Sequence, residues 1–316
     1  MSSKKIITVF GATGAQGGGL IRAILRDKNG GFLARAVTRD VTSDKVKELE
    51  ALGAEIVAGD VDDAASVEKA LEGAYGAYFV TFFWNHYSPE LETAQAQTFA
   101  SAAKKAGLKH AIWSTLEDVR EFVPLHDDKM PTLREKYKVP HFDGKGEADK
   151  FFIEAGVPTT FLYPSFYWDN FIYFGAGPKK DEGGKLQLTL PIGEAKMGGI
   201  ASEDIGKCAY GIFKKGDELI GKKVGLAGEQ LTGKEMADAL SKALGQPVNY
   251  NDIPASVYRT FGFPGADDLG NMFQFYDEFE HHVNSLRDVD KSKELNPELK
   301  SFGQWLKENA GKIPLN

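Results

Sequence analysis

The stretch Ile6-Ile7-Thr8-Val9-Phe10-Gly11-Ala12-Thr13-Gly14-Ala15-Gln16-Gly17 decides the fold, together with the run Leu20-Ile21-Arg22-Ala23-Ile24-Leu25 that follows it. Five β-branched or aromatic residues read as a short strand, three glycines at three-residue spacing as a tight turn, and the amphipathic run as a helix. Glycines let the chain turn sharply and let a ligand reach the backbone with no Cβ in the way. The free N–H groups at the start of a helix present partial positive charge to a pyrophosphate. Gly11, Ala12, Thr13, Gly14, Ala15, Gln16 and Gly17 are therefore candidate phosphate-cradling residues. The chain holds 35 Gly, so a plain turn is the bland alternative. The position of these glycines, at the first strand-to-helix junction of a repeating strand/helix pattern, favours the cradle.

Outward from that turn, a second strand spans Leu33 to Thr38 and ends at Arg39. This strand end selects the cofactor in a dinucleotide fold: an acid takes the ribose 2′-hydroxyl of NAD, an arginine the 2′-phosphate of NADP. Thr38-Arg39 points to NADP(H), with pairing to the adjacent Asp40 as the alternative use of the arginine. After a helix from Ser43 to Leu52 and a third strand, Gly59-Asp60-Val61 lies on the same side, where the Asp60 carboxylate can accept from an adenine amino group. Asp63 is placed to cap the next helix. The fourth strand opens at Thr81 into Phe82-Phe83-Trp84-Asn85-His86-Tyr87, read as either core or the wall of a ligand cleft. Ser88-Pro89-Glu90 starts a helix that ends at Gly107, and a fifth strand from His110 ends in Ser114.

The 316 residues suffice for an α/β core plus a smaller lobe. A formal net charge of −7 argues against direct contact with nucleic acid or an anionic membrane. The most apolar stretch, Tyr75 to Trp84, is too short to span a bilayer, and no secretory signal is expected ahead of the first strand. An intracellular protein is the expectation. The one cysteine, Cys208, excludes an internal disulfide and reads as a helix-packing residue. His281-His282 diverge by about 100° on a helix and have no third ligand at helical spacing, so no metal is assigned. Thr232-Gly233-Lys234-Glu235 reads as a capping box for a helix ending at Gly245. Later helices are expected around Asp267 to Glu280 and Asn296 to Asn309.

Ser114 at its strand end, and His141-Phe142-Asp143-Gly144-Lys145-Gly146-Glu147 opening a helix, resemble the catalytic region of short-chain dehydrogenases/reductases. The chain as a whole resembles the NmrA-like family, atypical members of that superfamily that include NADPH-sensing redox proteins. The likeness is carried by Val9 through Gly18, Val37-Thr38-Arg39, Gly59-Asp60, His141 through Glu147, Tyr167-Trp168-Asp169-Asn170 and Gly262-Phe263-Pro264-Gly265-Ala266. It implies that Lys145 holds the nicotinamide ribose and that Tyr167, Trp168, Asp169 and Asn170 line the nicotinamide side. Reductases of the superfamily carry a tyrosine four residues before the lysine, and this chain has His141 there.

The expected architecture is α/β: a Rossmann-type doubly wound parallel sheet in residues 1–165 and a smaller, mostly helical C-terminal lobe in 166–316, with some of its segments returning to the first. NADP(H) is expected to touch Gly11 to Gly17, Arg39, Asp60, Val61, Thr81, Phe82, Phe83, Lys145 and Tyr167 to Asn170. The expected function is that of an NADP(H)-binding redox sensor, cytoplasmic and also nuclear, which acts through protein partners, as a homodimer in one version, and has no catalytic residue. The rival is an NADP-dependent reductase that uses Lys145 with Ser114 or His141. Its aromatic carbonyl or quinone-like substrate would be enclosed by Phe83, Trp84, Tyr167 and Trp168. A cofactor-independent scaffold would leave Arg39 and the glycine turn without a purpose.

Overall fold

The computed structural model describes residues 4–315. Its first half alternates as the sequence suggests: β1 (Lys5–Val9), α1 (Ala15–Arg26), β2 (Phe32–Thr38), α2 (Asp44–Ala51), β3 (Glu55–Ala58), α3 (Ala64–Ala70), β4 (Gly76–Phe79), α4 (Pro89–Ala106), β5 (His110–Ser114), α5 (Pro140–Glu154) and β6 (Thr159–Tyr163). Then follow β7 (Phe166–Tyr167), α6 (Asn170–Tyr173), β8 (Lys179–Lys180), β9 (Leu186–Thr189), β10 (Met197–Ile200), α7 (Ser202–Lys215), β11 (Lys223–Gly225), β12 (Glu229–Leu231), α8 (Gly233–Leu244) and β13 (Val248–Asn251). The chain closes with α9 (Ala255–Tyr258), α10 (Ala266–Glu278), α11 (Glu280–Leu286), α12 (Val289–Leu295) and α13 (Phe302–Asn309).

Seven strands form one parallel sheet in the order β11-β6-β5-β4-β1-β2-β3. The order reverses at β1, whose neighbours are β4 and β2, and in open parallel sheets ligands bind at the C-terminal strand ends beside such a reversal. Successive side chains alternate between faces, so Ala77, Phe79 and Trp113 face a core completed by Phe99 and Phe152 of α4 and α5. Tyr78 and Ile112 face the opposite core, with Leu20 and Ile24 of α1 and Ile205, Cys208 and Ile212 of α7. The two helices of that layer approach closely through glycine: a Cβ on Gly206 would overlap the backbone of α1, and one on Gly19 would overlap Glu203. Cys208 is fully buried in this contact.

The expected fold class is borne out, with an addition. Besides its helices, the C-terminal part holds two three-stranded sheets, β12-β10-β7 and β13-β9-β8, around a core containing Phe142, Trp168, Met197, Phe273 and Trp305. After residue 200 the chain goes back to the first lobe, where α7 packs on α1 and β11 pairs with β6. The helix expected over Asn296 to Asn309 starts later: α12 stops at Leu295, before that range, and Ser301 opens α13 with its own capping box. The capping box of Thr232 and Glu235 and the cap of Asp63 on α3 form as read. Among the described residues no helix is long and apolar enough to cross a membrane.

Candidate functional site

Because the sheet is parallel, the segments leaving β1, β2, β3, β4 and β5 emerge at one edge. Gly11 sits directly after β1 with φ +67°, a backbone that only glycine adopts without strain. Gly14 precedes α1, which has no side-chain cap and no acid in its first turn. An uncapped helix start, free of carboxylates and open on the Gly11 and Gly14 side, suits an anion. Gly17 is an internal packing residue, since a Cβ there would overlap the Gly11 carbonyl.

Gln16 turns inward and is clasped by three hydroxyls. Ser114 donates to its Oε1 at 2.9 Å, the Tyr78 hydroxyl donates to the same oxygen, and its Nε2 donates to the Tyr167 hydroxyl. Burial pushes both phenols above their usual range, so they stay protonated. The clasp ties the glycine turn to β4, β5 and β7.

On the β2 side, Arg39 is exposed and its side chain has no hydrogen-bond or ion-pair partner among the described residues. Asp40 does not take it: its Oδ1 accepts from the Thr42 amide at 2.8 Å and hydroxyl at 2.6 Å, which holds the Asp40 carboxyl below the usual carboxylate range. Asp60 is partly exposed and closes its own turn by accepting from the Asp62 amide, with Val61 packed beside it.

On the β4 side, Thr81 is buried and accepts from Lys145 Nζ at 2.6 Å. Lys145 also lies 2.9 Å from Oε1 of Glu92, a fully buried carboxylate of α4. Glu92 was not singled out from the sequence, where it is one more acid in the first turn of a helix. Phe82 is half exposed. Phe83, expected at the cofactor, packs its ring inside a cluster with Trp84, Tyr87 and His141 and is 2% exposed. Trp168 is likewise turned away: it is 1% exposed against Phe302 and Trp305 in the second-lobe core, so its ring faces no cleft. Asp169 accepts from the Ser202 amide at 2.8 Å and fixes the start of α7; Asn170 begins α6 and is partly exposed.

His141 stands one turn before Lys145 on α5. Its Nδ1 is 2.6 Å from Oδ1 of Asp268, and its backbone amide donates to Oδ2 of the same residue. The ring, 6% exposed, lies against Trp84 and Phe142. Asp268 belongs to the first turn of α10, directly after the Gly262 to Ala266 motif, so the motif that marked the resemblance aims the carboxylate that fixes His141. Gly265 of the same loop, with φ +84°, packs on Trp84. A second buried tie between the segment after β5 and the C-terminal part joins Glu117 to Arg287, at 2.5 and 2.9 Å. No group of three metal-ligating side chains is brought together among the described residues.

A parallel sheet reversing at β1, an uncapped helix start beside it, an unpaired arginine after β2 and an anchored lysine beyond β4 define a Rossmann-type dinucleotide-site protein. A model of the NmrA-like family matches residues 3–306, and the chain belongs to that family. It superposes over 98% of its length on NmrA, a negative transcriptional regulator crystallised in complex with NADP, covering 96% of that chain at 24% identity and TM-score 0.80. It likewise superposes over 97% of its length on triphenylmethane reductase of Citrobacter sp., crystallised with NADP(H), covering 99% of that chain at 19% identity and TM-score 0.74. An NAD(P)H azoreductase of Xenophilus azovorans is 30% identical over 250 residues, 78% of this chain and 76% of that protein.

Proposed function

We propose that the protein binds NADP(H) across the end of β1 and acts as a regulatory redox sensor through protein partners, with little or no turnover of its own. The strand order supports the placement. β2 and β4 flank β1 on opposite sides, so a dinucleotide with its pyrophosphate at Gly11 to Gly17 has one end at Arg39 and the other at Thr81 and Lys145. Arg39 receives the 2′-phosphate, and Lys145 the nicotinamide ribose. NADPH, when bound, would carry a transferable hydride at the Lys145 end.

The state of His141 carries the regulatory half. At the position where a short-chain reductase presents a hydroxyl to its substrate, this chain has an imidazole enclosed by aromatic rings and engaged at Nδ1 by Asp268. That geometry joins α5 to α10 and puts an imidazole fixed at Nδ1 where a reductase has its phenol. The same ring touches Trp84, and Trp84 touches Gly265, so the loop after β4 is packed continuously onto the C-terminal part. A shift of that loop on binding is passed to α10 and to the surfaces that partners meet. Sensing further requires that the two redox forms differ in affinity for two conformations, because equal affinities shift nothing. With a net charge of −7, the output goes through protein partners, in the cytoplasm or nucleus, rather than directly to nucleic acid.

A reductase of aromatic acceptors is the second reading. It is favoured by the exposed rings of Phe82 and Phe174, edge to face at 6.4 Å, and by the likeness of the chain to an azoreductase and a triphenylmethane reductase. Limited proteolysis and size-exclusion chromatography with no cofactor, NADP or NADPH test the first reading. Digestion and elution should differ between the two redox forms, and identical behaviour in all three conditions would overturn it.

A further inference from the structure

We infer that Glu92 is the positioning residue for Lys145: it fixes the ammonium where the nicotinamide ribose of the dinucleotide lies. The inference rests on the NADP(H) reading above. Glu90 and Glu92 both stand in the first turn of α4, where either carboxylate would suit the helix dipole. Two residues along a helix turn by about 200°, and the two acids separate accordingly. Glu90 is exposed and pairs with Lys136 and Tyr137, at 2.8 and 2.9 Å. Glu92 is fully buried and faces α5. Its Oε1 accepts from the Thr81 hydroxyl at 2.6 Å and lies 2.9 Å from Lys145 Nζ.

A carboxylate with no access to water is tolerated only when it is paired, and among the described residues Lys145 is the one cation within ion-pair distance of Glu92. Thr81 completes a three-membered arrangement, because its hydroxyl accepts from Lys145 while donating to Glu92. The Glu92 Oε2 is buried with no hydrogen-bond partner among the described residues, so the pair is held through a single oxygen. A lysine is otherwise a point charge on a flexible four-carbon stem. Anchored by Thr81 at the end of β4 and by Glu92 from α4, its ammonium is confined to the β4 side of the glycine turn, away from Arg39 on the β2 side.

The alternative is a structural tie between α4 and α5 with no bearing on the ligand, and two ligands separate the cases. NADPH spans both ends of the site, whereas adenosine 2′,5′-bisphosphate contains only the Arg39 end. Titration calorimetry on the full chain should show Glu92→Gln weakening NADPH by about tenfold or more, the scale of one charge-assisted hydrogen bond, with the bisphosphate changed by less than about twofold. Thr81→Val, which removes no charge, should weaken NADPH selectively in the same way and decides the matter if Glu92→Gln does not fold. Equal weakening of both ligands, or no change in either, would overturn the positioning role. If the unaltered protein bound neither ligand, the dinucleotide reading itself would fall, and this inference with it.

Discussion

Two glycines three residues apart should respond in opposite ways to a side chain. Gly14 has φ −88° and ψ −179°, extended backbone open to any residue, and a Cβ there would meet only the Gly11 carbonyl oxygen, at 3.2 Å. Gly14→Val should therefore leave the fold standing, at a cost of about 1 kcal/mol for a poor residue at a helix N-cap. Its branched side chain would occupy the space in front of the α1 amides. Gly17→Ala puts a methyl group onto the Gly11 carbonyl, 2.8 Å from its carbon and 3.1 Å from the Ala12 nitrogen. Backbone cannot yield as a side-chain tip can, and overpacking of this kind costs about 1–3 kcal/mol. A ligand at about one hundred times its dissociation constant stabilises a protein by about 2.7 kcal/mol. At roughly 2–4 °C per kcal/mol, NADPH should raise the unfolding temperature by roughly 5–10 °C. Thermal unfolding with and without NADPH should show the shift in the unaltered protein and none in Gly14→Val, while Gly17→Ala starts from the lower melting temperature. A full NADPH shift in Gly14→Val would refute the phosphate-cradle assignment.

Arg39→Ala should weaken NADPH by about ten- to a hundredfold, from loss of a charge-assisted hydrogen bond of about 1.5–3 kcal/mol, and leave NADH unchanged. Equal affinities for NADH and NADPH in the unaltered protein would show that Arg39 does not read the phosphate. Burial lowers the pKa of His110, bonded through Nε2 to Thr160 with Nδ1 buried and unpartnered, to about 4. The unfolded chain then binds the extra proton between about pH 6.5 and 4, so stability falls as pH drops through that window, by about 2–3 kcal/mol at pH 4.5. Urea unfolding at pH 7 and 4.5 should show this loss diminished in His110→Asn, and an unaltered loss would locate the acid sensitivity elsewhere.

The first lobe was legible because its signals are local. Alternating apolar runs gave six of the seven sheet strands, and Ser88, Thr232 and the glycine turn announced the helices they start. β11 has three residues and reaches the sheet some sixty positions after its partner β6, so no period marks it. In the small sheets β9 alternates visibly, with Leu186 and Leu188 buried and Gln187 and Thr189 half-buried, but the other strands have two to four residues, too few to show a period. The site shows the same division. Arg39, Lys145 and the glycines sit in recognisable spacings, but what holds them is brought together from afar: Gln16 meets Tyr167 across 151 positions, and His141 meets Asp268 across 127. Asp268 had one local signal, its place in a first helical turn directly after Gly262 to Ala266. Phe83 reads as a cleft wall because aromatic residues after a strand look alike whether they face a ligand or a core, and Trp168 because the family resemblance implies it; the structure places both rings in packed interiors.

A redox sensor of this kind holds NADPH and does not consume it. The most direct measurement follows absorbance at 340 nm for NADPH bound to the full chain, in the presence of simple quinones, aromatic aldehydes and azo dyes, with occupancy checked by calorimetry. A sensor should give a saturable binding isotherm together with an oxidation rate no greater than that of the protein-free control. Steady, protein-dependent NADPH consumption with any of these acceptors would contradict the sensor reading and establish a reductase.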